Sequence, residues 1–298
     1  MEQPHLSPRS LQQYESALKQ FFRWVHDNCE NKPLYELKSK DALRYQDFLT
    51  NRNLSGKTVT FKRSSVSTLC TYMETYYTDD KNYLTFRNIF TKAIPRPSKS
   101  LRREKEALTK QEFEKLYREL KKRQDWQMIA YLMFSYSTGC RRGEAIQLLK
   151  EVFNYQMVKD NDGNDKKYYL THSIRCRGNG REGKVKKLKF DDKAMKAIQK
   201  WLSVRGEDDC PYVFVKKTKD GISNLSMESF NYWCKVIFSK ILGRRVHPHG
   251  IRASRAIDIV LSGKDIKIAQ KLLGHESLET TKAYVLRDSD NDDDEAFE

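Results

Sequence analysis

The feature that most constrains the fold is a basic, proline-containing segment at residues 92–106, which separates two stretches of different periodicity. Before this segment, apolar residues recur every three or four positions, as in amphipathic helices. After it, helical patterns are interrupted between residues 153 and 190 by alternating residues, which are typical of strands. Because prolines and dense charge disfavour a packed element, we interpret 92–106 as an interdomain linker. A chain of 298 residues is also long enough for two domains.

The segment before the linker, residues 1–91, has the pattern of a small helical bundle. Ser7 followed by Pro8 is typical of a helix start, because serine caps a helix and proline is tolerated at its first position. The pattern predicts four helices. The first begins at Ser7, and the other three cover about 39–53, 57–77 and 84–90.

The segment after the linker, residues 107–286, is predicted to combine helices with strands. Thr109 and Glu112 form a capping-box pattern that opens the first of its helices. The predicted strands are 153–159, 167–176 and 184–190, joined by turns that contain Asp162-Gly163 and Gly178-Asn179-Gly180. Further helices are predicted at about 126–136, 193–202, 227–242, 249–261 and 264–273, with short ones near 142 and after 277. The predicted fold class is mainly α with a small antiparallel β-sheet, and the pattern predicts three strands for that sheet.

The charge of the chain favours a polyanionic partner. The formal net charge is +16, although residues 287–298 form an acidic tail with one positive and seven negative side chains. Residues 1–286 therefore carry a formal charge of +22. Because 11% of the residues are aromatic and basic residues lie among them, nucleic acid is the preferred partner class. A general nucleic-acid-binding scaffold would explain this charge without any catalysis.

Composition disfavours several other classes. No apolar stretch approaches the ~20 residues that a membrane helix needs. The first residues lack the basic-then-apolar order of a signal peptide. The six cysteines are scattered without a Cys-x-x-Cys pair, which argues against a zinc ribbon and fits reduced thiols. We therefore expect a cytoplasmic protein with no membrane partner, no bound metal and no cofactor.

Three short motifs in the second segment carry the functional prediction. They are Thr138-Gly139-Cys140-Arg141-Arg142-Gly143-Glu144, His249-Gly250-Ile251-Arg252 and Leu272-Leu273-Gly274-His275, and Tyr284 follows nine residues after the last histidine. Each motif alone has an ordinary interpretation, such as a surface cation or a packed tyrosine. Their joint occurrence in one basic chain makes coincidence improbable.

These motifs resemble those of the tyrosine recombinase (phage integrase) family, whose pattern is Thr-Gly-x-Arg-x-x-Glu, His-x-x-Arg, Leu-Gly-His and a nucleophilic tyrosine. The resemblance is strong over 108–286 and weaker over 7–90. It implies an N-terminal helical core-binding (SAM-like) domain at 1–91, a catalytic domain at 107–286, and a Xer-like site-specific recombinase. Such an enzyme cleaves and rejoins DNA through a 3′-phosphotyrosine intermediate, as in integration or excision of a mobile element.

The resemblance also implies partners: double-stranded DNA at specific sites, a homo-tetramer that exchanges strands through a Holliday junction, and in some systems a directionality or DNA-bending factor. The acidic tail is expected to dock on a neighbouring subunit and restrain cleavage to half of the subunits. Two rivals predict different behaviour. A type IB topoisomerase-like enzyme would relax supercoils as a monomer on any sequence, and a DNA-binding protein of this fold without catalysis would form no covalent adduct.

The proposed chemistry gives each motif residue a role. Arg141 and Arg252 are expected to clamp the phosphate, because a planar guanidinium pairs bidentately with phosphate oxygens. Tyr284 is the expected nucleophile, and its reference pKa of ~10 means that it needs nearby cations or a base. His249 is the candidate base, and His275 is expected to donate a hydrogen bond to a non-bridging oxygen.

The acid that protonates the leaving 5′-oxygen is the least defined member of the site. The family uses a lysine in the turn between the second and third strands, where this chain has Arg177. Arginine is a poor acid, because it is effectively always protonated. We assign the role to Lys184, which lies across the same turn. The next lysines, Lys186, Lys187 and Lys189, are interpreted as phosphate contacts, and Glu144 is expected to orient its neighbours.

Overall fold

The computed structural model of the chain describes residues 8–91, 94–95, 107–176, 184–219, 221–274, 279 and 281. The chain divides into two compact units, Met1–Arg103 and Glu104–Glu298. The described residues are mainly helical, with short antiparallel strand pairs, so the predicted fold class is confirmed. Most of the predicted linker and the whole acidic tail lie outside the described residues, and the boundaries of the four predicted segments stay predictions. No helix of the described residues is long and apolar enough to cross a membrane.

The first unit is built from three long helices, α1 (Pro8–Asn28), α2 (Ser39–Asn51) and α3 (Gly56–Tyr76), with a 3-10 turn at Leu34–Glu36. The α1 helix packs along α3, and α2 packs against α3. The Ser55 hydroxyl accepts the Thr58 N–H and thereby caps α3. The core of this unit is apolar and aromatic-rich, and includes Phe21, Trp24, Val25, Tyr45, Leu49, Val59, Val66 and Cys70.

The predicted helix at residues 84–90 is wrong, since this segment has turns and irregular backbone. The Asn88 side chain accepts the N–H of Phe90 and donates to the Ser67 carbonyl, while the Asn88 N–H donates to the Glu74 carboxylate. Such side-chain bonds give the backbone an alternative to helical hydrogen bonding. The apolar residues that produced the helical pattern are buried against the core without forming a helix.

The helices of the second unit surround α5 (Trp126–Thr138), which is buried along most of its length. It packs against α4 (Lys110–Lys122), α7 (Asp192–Arg205) and α10 (Pro248–Leu261), while α11 (Ile266–Leu273) packs on α10. The remaining helices are α6 (Arg142–Ala145), α8 (Met227–Tyr232) and α9 (Ser239–Leu242), with a π-helical segment at Trp233–Phe238 that joins the last two. The predicted helix at 227–242 is therefore continuous but not uniformly α-helical. The predicted capping box opens α4, because Thr109 and Glu112 exchange hydrogen bonds of 2.9 and 3.2 Å.

The predicted three-stranded sheet is wrong in its first strand. Residues Lys150–Asn154 form a 3-10 helix, and only an isolated bridge joins Lys159 to Asp165. Phe153 is 42% exposed rather than packed on a sheet face. The Lys150 N–H donates to the Pro211 carbonyl, which fixes this segment against another part of the chain. Within the described residues the sheet is therefore an antiparallel hairpin.

That hairpin has two paired regions. The strands β1 (Tyr169–Leu170) and β4 (Lys189–Phe190) pair at its base, and β2 (Ile174–Cys176) pairs with β3 (Lys184–Lys186) further along. Between the two regions, the Thr171 N–H donates to the Leu188 carbonyl, and the Thr171 hydroxyl accepts the Leu188 N–H. Ile174 and Cys176 are buried on one face of β2, while Arg175 is exposed on the other.

A second hairpin, β5 (Val215–Thr218) and β6 (Gly221–Asn224), was not predicted from the sequence. Three of the four β5 residues are exposed and two of them are lysines. The strand therefore lacks the alternation of apolar and polar residues by which short strands are recognised.

Candidate active site

The first motif begins where α5 ends. Gly139 adopts a left-handed conformation with φ of 60°, and its N–H donates to the Ser135 carbonyl. A Cβ atom added at Gly139 would lie 2.2 Å from Cδ2 of Leu273. A glycine is therefore required here both by the backbone conformation and by the close approach of the last turn of α11. This contact brings the first motif next to the third.

Arg141 and Glu144 form the next part of the site. Both oxygens of the Glu144 carboxylate bind Arg141: Oε2 accepts the backbone N–H and Oε1 accepts Nη1, each at 3.0 Å. The side chain of Glu144 is 2% exposed and that of Arg141 is 31% exposed. A buried carboxylate thus fixes the start of α6 and the direction of the Arg141 guanidinium, which stays partly open to solvent.

Arg252 joins all three motifs. The residue is 2% exposed, and its guanidinium donates from Nη1 to the Gly139 carbonyl and from Nη2 to the Leu273 carbonyl. These carbonyls end α5 and α11, and helix C-termini carry partial negative charge. The buried cation of α10 is therefore held between two helix ends, one in each of the other motifs.

His249 lies in the first turn of α10, three residues before Arg252. This spacing places the two residues on neighbouring positions of one helical face. The helix begins at Pro248, which is favourable at a first helical position because proline has no N–H to satisfy. The fold thus brings His249 to the end of α10 that carries Arg252.

The two lysines of β3 differ in their surroundings. Lys184 is exposed and pairs across the hairpin with Cys176. Lys186 is 27% exposed, and its Nζ lies 3.7 Å from Oε2 of Glu144. The sequence predicts only a phosphate contact for Lys186, so the ion pair with Glu144 is a difference that the structure adds. The sequence does indicate that Lys184 and Lys186 share a face, because side chains alternate between the two faces of a strand such as β3.

Three residues of the predicted chemistry, His275, Tyr284 and Arg177, lie outside the described residues. The helix α11 ends at Leu273, and Gly274, with φ of 66°, directly precedes His275. The described part of the site therefore contains Arg141, Lys184, His249 and Arg252, and the assignment of all six catalytic residues stays a prediction.

The electrostatics of the described site favour an anionic ligand. Burial raises the pKa of Glu144, but the nearby Lys186 ammonium and the hydrogen bonds from Arg141 outweigh it and hold that pKa below its ordinary value of 4.5. Glu144 is therefore ionised at neutral pH, and it is surrounded by more positive than negative charge. Burial raises the pKa of the Cys140 thiol to about 11, so Cys140 stays a neutral, packed side chain. Among the described residues, no group of three or more His, Cys, Asp or Glu side chains is placed to hold a metal ion.

Comparison with known proteins gives matches over nearly the whole chain. Residues 106–290 match the model of the phage integrase family, and residues 1–79 match a phage integrase N-terminal SAM-like domain. The SPbeta prophage-derived recombinase-like protein YomM of Bacillus subtilis (strain 168) is 33% identical over 294 residues, which cover 97% of this chain and 86% of that protein. The tyrosine recombinase XerA of Pyrococcus furiosus is 31% identical over 179 residues, which cover 60% of this chain and 56% of its own.

Solved structures share the fold at lower identity. The XerH site-specific recombinase bound to a palindromic difH substrate has a TM-score of 0.67 and 20% identity, with 94% of this chain and 76% of that chain covered. A lambda integrase(75-356) dimer bound to a COC′ core site has a TM-score of 0.63 and 18% identity, with 92% and 90% covered. The family models span both units, and the three motifs meet around Arg252 in the order and spacing of the family pattern. The chain belongs to the phage integrase family of tyrosine recombinases.

Proposed function

We infer that the chain is a site-specific DNA recombinase that cleaves and rejoins DNA through a 3′-phosphotyrosine intermediate. Family membership supports the reaction class. The structural observation that carries the inference is the position of Arg252, which draws the first and third motifs together through the Gly139 and Leu273 carbonyls. Phosphoryl transfer needs several groups converging on one phosphate, and this buried arginine brings their chain segments to one place.

The proposed reaction is an in-line displacement at phosphorus. The Tyr284 hydroxyl attacks a DNA phosphodiester, a phosphorus–oxygen bond to the tyrosine forms, and the bond to the 5′-oxygen breaks. Charge builds on the non-bridging oxygens, where Arg141 and Arg252 supply preorganised positive charge, which usually makes the greatest contribution to such catalysis. The phosphotyrosine retains the energy of the broken bond, so the 5′-hydroxyl of another strand can reverse the step.

Proton transfers complete the mechanism. His249 is the proposed base for the Tyr284 hydroxyl, and His275 is proposed to donate a hydrogen bond to a non-bridging oxygen. Lys184, on the exposed end of β3, is proposed to protonate the leaving 5′-oxygen. A lysine ammonium can donate a proton, whereas an arginine is effectively always protonated.

The proposed partner is double-stranded DNA at specific sites. The two solved structures cited above are complexes with a difH substrate and a COC′ core site, and YomM is named as prophage-derived. By this similarity we propose that four subunits synapse two sites and exchange strands through a Holliday junction, in integration or excision of a mobile element. A directionality or DNA-bending factor is a further proposed partner, and the proposed location is the cytoplasm.

A covalent-trapping assay tests the function. Wild type and Tyr284→Phe are incubated with nicked duplexes that tile the DNA flanking the gene, together with a site enriched from a random library by wild-type binding. The nick lets the cleaved fragment diffuse away, so the phosphotyrosine accumulates. We expect a detergent-stable adduct with wild type and none with Tyr284→Phe. The matched control is Tyr232→Phe, which removes the hydroxyl of a tyrosine that is 57% exposed on α8 and should form the adduct normally.

Two other outcomes would identify the rival functions, a DNA-binding protein without catalysis and a topoisomerase. Specific binding of the enriched site without any wild-type adduct would show a DNA-binding protein that lacks catalysis. An adduct accompanied by relaxation of plasmids without the site, and no strand exchange, would show a topoisomerase. Either result would contradict the proposed function.

A further inference from the structure

Glu144 is a buried carboxylate that receives cations from two different chain segments. Arg141 approaches from the start of α6, within the same motif. Lys186 approaches from β3, with its Nζ 3.7 Å from Oε2. An exposed ion pair contributes little to a fold, but a carboxylate that is 2% exposed needs its partners, because an unpaired buried charge is strongly unfavourable. Glu144 therefore links β3 to the Arg141 segment.

The hairpin register explains why Lys186 makes this contact. Lys186 pairs with Ile174, which is fully buried in the core of the second unit, so the two residues lie on the face of the hairpin that packs against the rest of that unit. Val185, the next residue, pairs with Arg175 and is 64% exposed on the opposite face. A shift of the register by one residue would turn Lys186 away from Glu144.

Lys186 also lies beside the third motif. A Cβ atom added at Gly274 would be 3.4 Å from the Lys186 Nζ. Gly274 ends α11, where the helix carries partial negative charge, and the next residue in the chain is His275. The ammonium group of Lys186 thus sits between the buried carboxylate of the first motif and the helix end that leads into the third.

We propose that Lys186 is a positioning residue for the recombination reaction: by binding Glu144 beside Gly274, it fixes the β2–β3 hairpin against the segments that carry Arg141 and His275. This role rests on the proposed function. The hairpin carries Lys184, and Glu144 holds the Arg141 guanidinium, so loss of Lys186 disturbs both the phosphate clamp and the proton donor. Misplacing catalytic groups by about 1 Å can slow a reaction about 100-fold.

The test compares two substitutions of Lys186 with a matched control in the full-length protein. Lys186→Gln removes the ammonium group, and Lys186→Arg keeps a positive charge at the same place. The control is Lys193→Gln, which removes an equal charge from an exposed position next to Asp191 and Asp192. For each variant we measure the rate of single-turnover cleavage on the nicked duplex that gives the covalent adduct. We also measure the dissociation constant for the same DNA. Thermal unfolding of each variant checks that it is folded.

We expect Lys186→Gln to cleave about 100-fold more slowly than wild type. Its dissociation constant should change only a few-fold, Lys186→Arg should recover most of the rate, and Lys193→Gln should cleave normally. In a Glu144→Gln background, Lys186→Gln should slow cleavage little further, because the ion pair between the two residues is already broken. Equal rates for Lys186→Gln and Lys193→Gln, or fully additive losses with Glu144→Gln, would overturn the proposal.

A substrate with a 5′-thiol leaving group distinguishes positioning from proton donation. A thiolate leaves without a proton, so this substrate restores cleavage to a variant that lacks the acid. Because a positioning residue acts through geometry, we expect Lys186→Gln to stay slow on this substrate, and full rescue would contradict the proposed role. If the wild type forms no adduct on any DNA, the proposed function fails. If only the Lys186 comparisons fail, the recombinase function stands.

Discussion

Arg252 illustrates how a single side chain can set the geometry of the proposed phosphate site. A buried guanidinium is costly unless its hydrogen bonds and charge are compensated. Here two carbonyls at the ends of α5 and α11 accept hydrogen bonds from it, and the partial negative charge of both helix ends favours the cation. A lysine at this position would keep the charge but would lack the planar fork that spans two acceptors. The chemistry at position 252 therefore depends on shape as well as on charge.

Gly139→Ala tests the contact between the first and third motifs. The new Cβ would meet Leu273 Cδ2 at 2.2 Å, and overpacking of this kind costs about 1–3 kcal/mol. The left-handed backbone adds a further cost of about 1–2 kcal/mol. We expect the free energy of unfolding, measured by denaturant titration, to fall by the sum of both effects. Gly163→Ala is the control, because Gly163 also has positive φ but no atom near its Cβ position. An equal loss in both variants would show that no clash occurs at Gly139.

The pH dependence of stability tests the charge state of Glu144. The folded state holds the pKa of this carboxyl below its ordinary value of 4.5. The ionised group therefore stabilises the fold above that ordinary value, and its contribution is lost as pH falls through the lower, folded-state pKa. We expect the unfolding free energy of wild type to fall more steeply than that of Glu144→Gln between about pH 5 and pH 3. Parallel profiles would show that Glu144 has the same pKa in both states.

At the scale of the element, the hairpin that carries Lys184 and Lys186 depends on Thr171. This residue is 2% exposed, and its hydroxyl accepts the Leu188 N–H and donates to the His172 carbonyl. Thr171→Val keeps the shape but leaves the buried Leu188 N–H without that acceptor, which costs about 1–3 kcal/mol. We expect this loss in the free energy of unfolding, together with slower DNA cleavage. Thr218→Val, which removes an exposed hydroxyl bond to the Gly221 carbonyl, should change the free energy of unfolding far less.

The elements differ in how well their sequences predict them, for a physical reason. The helices α1, α2 and α7 bury one face, so their apolar residues repeat over several turns and identify them. Strands of two to four residues contain too few residues for a period to be recognised, and β5 is mostly exposed. The segment 84–90 contains buried apolar residues, but the hydrogen bonds of Asn88 that prevent a helix come from α3, which sequence periodicity does not reveal.

The residues of the candidate site also differ in how well the sequence predicts them. The resemblance of the three motifs to the family pattern predicted Arg141, His249 and Arg252 as site residues. The ion pair of Lys186 with Glu144 joins residues 42 positions apart and depends on the register of β3, which the sequence does not specify. The catalytic roles of all six residues, including His275 and Tyr284, stay predictions from the motif pattern.

At the scale of the whole molecule, the charge distribution governs DNA binding. The formal charge is +16, and it rises to +22 without residues 287–298. A protein that contacts phosphates releases counterions from DNA, so its affinity falls with salt according to the number of contacts rather than the net charge. With six or more phosphate contacts, we expect affinity for the enriched site to fall at least about 1,000-fold between about 50 and 200 mM salt. Fluorescence anisotropy at several salt concentrations measures this slope.

Single-lysine variants show whether the slope reports defined contacts. If Lys184 faces the DNA, as its proposed role requires, Lys184→Gln should reduce the slope of log K against log salt by about 1. Lys193→Gln removes the same charge next to two aspartates and should leave the slope unchanged. Because both variants have the same net charge, a difference between them can only come from local contacts. Equal slopes in the two variants would mean that Lys184 does not lie on the DNA-binding surface, and the proton-donor role would then need another residue of the hairpin.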